Sequence, residues 1–181
     1  QVCWSAKPGF YLPDTVADFT LRYKTVDNLI ILPIRINDSI EVNLILDTGC
    51  RNIVLFGKRF EKIFSFTPDI HVQFSGLGSG KPLQGSLSLN NKASIGPISG
   101  ENVPLVVVPS KNIFRDYTKI DGVIGHDIFS RFEIELIPSR KLITFRSAFN
   151  TIIPDGYEKV PMRIVDSKPI LHSTIKLRSE T

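Results

Sequence analysis

Little in this chain carries metal, redox or disulfide chemistry. Among its 181 residues are two cysteines, three histidines, one methionine and one tryptophan. Cys3 and Cys50 are too few for a disulfide framework and lack metal-ligand spacing. His71, His126 and His172 lie far apart and form no H-x-x-x-H pair. A zinc site is therefore not expected, and no other metal or cofactor is called for. A single Cys3–Cys50 bridge stays open as an alternative, against the narrow geometry that disulfides require. No run of about 18 apolar residues exists, so no helical membrane span is expected. Net charge is only +4, and Lys7, Arg22, Lys24, Lys58, Arg59, Lys141 and Arg178 are scattered. Nucleic-acid binding would need a basic stripe interleaved with stacking aromatics, and none is present. No G-x-S-x-G elbow supports a serine hydrolase. The one Gly-Lys pair followed by proline, Gly80-Lys81-Pro82, has Ser75 where a phosphate loop needs its first glycine.

What is present is β-sheet material. At 42% hydrophobic the chain is long enough for one well-cored domain. Twelve glycines and twelve prolines cut it into short runs of Val, Ile, Leu and Phe, with turn signals about every ten residues. The reading is all-β, with one or two short helices. Residues 29–36 and 40–46 read as a strand hairpin turning at Asn37-Asp38-Ser39. That triplet is also a glycosylation sequon, but turn chemistry explains it sufficiently. Residues 57–63 read as a short helix, 70–76 and 83–90 as strands, and Val103–Val108 as a buried strand. Ile120 to Phe132 reads as a strand closing on Gly122-Val123-Ile124-Gly125, followed by a short helix. Residues 132–137 and 141–145 are the arms of a last hairpin.

The first hairpin delivers Asp47-Thr48-Gly49 directly after Val42-Asn43-Leu44-Ile45-Leu46. The triplet alone is weak, expected by composition in roughly 4% of chains this long. A carboxylate, a small hydroxyl residue and a glycine at the end of an apolar strand nevertheless suggest a held acid. The alternative is a surface or capping aspartate.

With its context, the triplet resembles one lobe of a retropepsin-like aspartyl protease. The resemblance covers about Leu29 to Phe145 and rests on Leu46-Asp47-Thr48-Gly49, Gly122-Val123-Ile124-Gly125 and the final hairpin in that order. It implies an acid-protease lobe with a closed, six-stranded type of β-barrel. Asp47 would be a catalytic aspartate, with Thr48 and Gly49 its loop. Gly76, Leu77, Gly78, Ser79 and Gly80 would form the tip of a flap over the substrate, an ordinary β-turn being the alternative. Gly122, Val123, Ile124 and Gly125 would support the loop. Cys50 stands where the family usually has Ala, Ser, Thr or Val. It reads as a small packing residue, with a redox role as the sharper alternative. His126 falls at the helix start, where Asp127 would be favoured by the helix dipole.

The implied chemistry suits these residue types. Two carboxylates at close range cannot both ionise cheaply and share a proton, so together they can activate water and protonate a leaving group. This chain carries one D-T-G, because Asp121, Asp127 and Asp155 lack the following Thr/Ser-Gly. A second copy related by two-fold symmetry, or a second lobe, must supply the other aspartate. Residues 168–177 resemble the strand 29–36. The same offset from Leu177 places a second aspartate near 188, beyond Thr181, as in exported bacterial proteases whose two such lobes precede a PDZ domain. The expected organisation is an N-terminal extension (1–28, an added strand or docking segment), the lobe (29–146), and a linker with the first strands of a second lobe (147–181). The start at Gln1-Val2-Cys3-Trp4 is compatible with a mature exported chain or with a trimmed one. The expected activity is peptide-bond hydrolysis of a peptide or protein substrate. The competing reading is a catalytically silent dimerisation or peptide-binding module of the same fold.

Overall fold

A computed structural model describes residues 9–67, 70–74, 83–109, 120–148 and 153–176. In chain order it contains β1 (Gly9–Tyr11), β2 (Asp18–Arg22), β3 (Lys24–Val26), β4 (Leu29–Ile36), β5 (Ile40–Leu46) and β6 (Ile53–Phe56). After a 3-10 turn at Lys58–Lys62 come β7 (His71–Phe74), β8 (Leu83–Ile95), β9 (Ile98–Val108) and β10 (Gly122–Ile124). A four-residue helix α1 (His126–Phe129) leads into β11 (Phe132–Ile137), a 3-10 turn at Pro138–Arg140, and β12 (Leu142–Ser147). Last come β13 (Arg163–Val165) and β14 (Lys168–Ile170). The fold is all-β, with a single four-residue helix among the described residues. The helix expected at 57–63 is a 3-10 turn built round the buried Phe60.

Six strands pair into a closed ring. β5 pairs with β4, β4 with β8, β8 with β9, β9 with β6, β6 with β10, and β10 again with β5. Two of those pairings are parallel, β10 with β5 and β6 with β9. Strands there are covered on both faces, so β6 is Ile-Val-Leu-Phe, buried at every position. On β4 the alternation is cleaner: Leu32, Ile34 and Ile36 are buried while Pro33 and Arg35 face out. The main core joins these residues to Val42, Leu44, Leu55, Leu105, Ile124 and Phe145. A smaller cluster of Ile31, Ile45 and Ile120 lies on the other face.

The described residues ahead of Leu29, from Gly9 on, contribute three strands to the sheets. β1 pairs with β9, β2 with β12, and β3 with β4. Phe19 on β2 stacks on Phe145 at 6.4 Å between ring centroids. Two-residue turns join β3 to β4 and β13 to β14, and all four turn residues have positive φ: Asp27 45°, Asn28 63°, Asp166 48° and Ser167 67°. Asp, Asn and Ser tolerate the left-handed turns that match strand twist. β14 is only three residues long, shorter than the eight-residue β4 it was expected to resemble.

Candidate functional site

β5 ends at Leu46 and its partner β10 ends alongside it, with Ile124 level with Leu46. The two parallel strands therefore release their following loops on the same side. Asp47 N–H donates to the Ile124 carbonyl at 2.8 Å, which pins the start of the loop. Cys50 N–H donates to the Asp47 carbonyl at 3.1 Å, closing a turn, and His126 N–H donates to the Cys50 carbonyl at 2.8 Å. Gly125 lies in the fold of this arrangement. A Cβ there would run into the carbonyl oxygens of Asp47 and Cys50. Gly122 is under the same constraint against the Val54 carbonyl. Both glycines mark close backbone approach. Ile124 between them is fully buried, and Val123 packs against the two smaller clusters.

Asp47, Thr48 and Gly49 themselves are exposed. Gly49 N–H donates to Asp47 Oδ1 at 2.8 Å and so orients the carboxylate. Thr48 lines a cleft of about 530 Å³ shared with His126, Phe129, Phe132, Met162 and Ile164. Its neighbour Arg51 donates from Nε to Ser167 Oγ at 3.2 Å, tying the β13–β14 turn to the loop. The expected flap tip, Gly76 to Gly80, lies outside the described residues. The strands on either side, β7 and β8, pair antiparallel from His71–Ser86 to Phe74–Leu83.

The other carboxylates have different roles. Asp121 N–H donates to the Asn43 carbonyl, and Asp121 Oδ2 accepts the Asn43 N–H, both at 2.9 Å. Its Oδ1 accepts from Arg59 at 2.5 Å. Asp121 thus locks β5 to the approach of β10. Asp155 is exposed in the segment before β13.

Cys50 is a free thiol. Its Sγ donates to the Asn52 carbonyl at 3.0 Å, and it packs against Val54, Phe56 and Val108. Burial, and next the Asp47 carboxylate, push the thiol up to about 12. A thiol raised in this way is a weak nucleophile, which favours the packing reading over the redox one.

Asp127 escaped the sequence reading, which treated it as a charge favoured by a helix N-terminus. α1 is a single turn with little dipole to offer. Desolvation wins instead and pushes the Asp127 carboxyl up to about 6, with His126 and Arg131 opposing and a hydrogen bond from the Ile53 backbone opposing further. Nothing in the spacing of Gly125-His126-Asp127 signals this, because Ile53 reaches Asp127 only through the tertiary fold. Among the described residues no group of three or more His, Cys, Asp or Glu could hold a metal ion. No helix among them is long and apolar enough to cross a membrane.

Residues 32–128, more than half of the chain, match the family model described as aspartyl protease. No curated protein matches the chain. Among solved structures, a retropepsin-like aspartic protease from Rickettsia conorii is similar with a TM-score of 0.52 at 15% identity. That likeness covers 78% of this chain and 96% of the other, and at such identity it speaks for the fold.

Proposed function

As the chain belongs to the aspartyl protease family, we propose that it supplies one aspartate, Asp47, to a two-aspartate endopeptidase site. The observation that carries this reading is the Asp47 carboxylate, exposed at a strand end and oriented by Gly49 N–H at 2.8 Å on a loop clamped from behind. Opposite a second aspartate, Asp47 would share one proton with it. The ionised member takes a proton from a water molecule as that water attacks the peptide carbonyl. The protonated member donates to the carbonyl oxygen, and the leaving nitrogen is protonated as the intermediate collapses. Exposed Thr48 offers its hydroxyl to the facing loop, and Gly49 lets that loop come close. The β7–β8 hairpin would carry the flap.

A second lobe of the same kind is the source of the second aspartate that the fold favours. Val26-Asp27-Asn28 and Val165-Asp166-Ser167 make the same left-handed turn at the head of a hairpin, 139 positions apart (165 − 26). β13–β14 then repeats the opening β3–β4 hairpin, and the equivalent of Asp47 would fall at 186 (47 + 139). Its apolar residues support this too: Met162, Ile164, Val165 and Leu171 are each about half exposed or more. A two-stranded hairpin has little stability without such cover.

Cleavage of peptides at acidic pH, abolished by Asp47→Asn, is the test. Asparagine keeps the acceptor for Gly49 N–H, so the variant should fold as the wild type does. Cleavage that survives the change removes Asp47 from the mechanism. Sedimentation of the chain alone separates the two sources of the partner: activity confined to a dimer points to a second copy, and an inactive monomer to a second lobe.

A further inference from the structure

The β3–β4 and β13–β14 hairpins are built on one pattern, and only one of their turns is covered. In β3–β4 the ladder pairs are Lys24–Ile31, Thr25–Ile30 and Val26–Leu29. In β13–β14 they are Arg163–Ile170, Ile164–Pro169 and Val165–Lys168, each shifted by the same 139 positions (163 − 24). Both turns use two residues of positive φ, so that Asn28 at 63° corresponds to Ser167 at 67°.

Ser167 has a partner. Arg51 donates to its Oγ from Nε at 3.2 Å, and Ser167 and Pro169 line the cleft beside Thr48. Ser167 is half-buried there, whereas Asn28 is exposed. Yet Asn28 stands in a telling place. Ile31 pairs with Ile45, so the β3–β4 turn and Asp47 leave the β4–β5 hairpin at the same end.

Two related lobes meet about a two-fold axis, and contacts across such an axis come in reciprocal pairs. Where residue i of one lobe reaches j of the other, i of the second reaches j of the first. Arg51 on the Ser167 turn is one member of such a pair. Its mate would join the Asn28 turn to the residue four places after the second aspartate, as Arg51 lies four places after Asp47 (51 − 47). We propose that the exposed Asp27–Asn28 turn is the docking point for the active-site loop of a second lobe. With the Arg51–Ser167 contact it would hold the two loops face to face. The proposal rests on the reading that β13–β14 opens that second lobe. A second copy of the chain fits less well, because its Asn28 would find Arg51 already bonded to Ser167.

Thiol footprinting tests this, in a Cys3→Ser background so that Cys50 is common to all variants. Asn28→Cys is compared with Asp38→Cys at the far end of β4. Both are exposed turn positions, with φ 63° and 62°, so the strain of a Cβ is matched. In the 181-residue chain alone, a bulky maleimide should label the two at similar rates. In the paired protein the thiol at position 28 should react at least roughly tenfold more slowly, since docked lobes expose it only when they part. The thiol at position 38 should be unchanged. Cleavage by the two variants is read alongside. Fast labelling at 28 with cleavage equal to that of Asp38→Cys overturns the proposal. Fast labelling with cleavage down roughly tenfold, and an unchanged thermal melt, supports it, because the substitution has then removed the dock itself. Protection that falls away on dilution places a second copy at the turn and overturns the second-lobe assignment. The labelling also runs in Asp47→Asn. Protection there, with no cleavage by the wild type, sinks the protease reading and leaves the docking point standing.

Discussion

Adding one methyl group at Gly125 should cost this protein more than almost any other small change. The new Cβ would occupy the space of the Asp47 and Cys50 carbonyl oxygens, which belong to backbone and cannot rotate away. The loop or β10 has to move, and moving either breaks the Asp47–Ile124 and Cys50–His126 bonds. Each bond contributes about 1 kcal/mol net, and orphaning one of its groups in a buried place costs about 1–3 kcal/mol. Gly125→Ala should therefore lose about 2–4 kcal/mol, or roughly 5–15 °C in melting temperature for a chain of this size. Gly156→Ala is the control. Gly156 has φ 85° and open space for 4 Å around the position a methyl would take, so the change costs only the left-handed penalty of about 1 kcal/mol. Thermal melts followed by circular dichroism, checked by urea titration, compare the two directly. If Gly125→Ala melts within about 2 °C of the wild type, or no lower than Gly156→Ala, backbone proximity is not what the glycine serves.

Two further outcomes are expected. Phe145 is fully buried and touches Phe132 at 6.0 Å and Phe19 at 6.4 Å, so Phe145→Ala should cost about 3–5 kcal/mol in urea denaturation; a loss under about 1 kcal/mol would mean that β2 does not dock on β12 through these rings. In a Cys3→Ser background, Cys50 should react with an aromatic disulfide at about pH 8 at least roughly tenfold more slowly than a peptide thiol, because burial pushes its thiol from an ordinary 9.0 up to about 12 and the greater nucleophilicity of its thiolate offsets only part of that loss. A rate near that of the peptide would show a thiolate where the structure has a donor to Asn52.

Much of the lobe was legible because its signals are local. Leu29–Ile36 alternates, Asn37-Asp38 can adopt positive φ, and Ile40–Leu46 returns, so β4 and β5 could be read residue by residue. The apolar pair between Gly122 and Gly125 likewise reads as a strand at a tight approach. The partners of these elements were less legible. That β10 runs parallel to β5, or that Phe19 stacks on Phe145, depends on pairings more than seventy residues apart in sequence. Asp127 was misjudged for the same reason. A helix-dipole argument from neighbouring residues cannot see the burial that dominates its carboxyl.

Sequence alone determined the sheet-rich class, the single D-T-G and the glycines that must follow it, because strand alternation, turn chemistry and side-chain identity are properties of a few adjacent residues. Only the tertiary structure decided how Asp47 is held. The parallel pairing of β5 and β10 brings Gly125 under the loop and His126 to its middle. Those contacts depend on desolvation and backbone distance, which arise when distant segments meet.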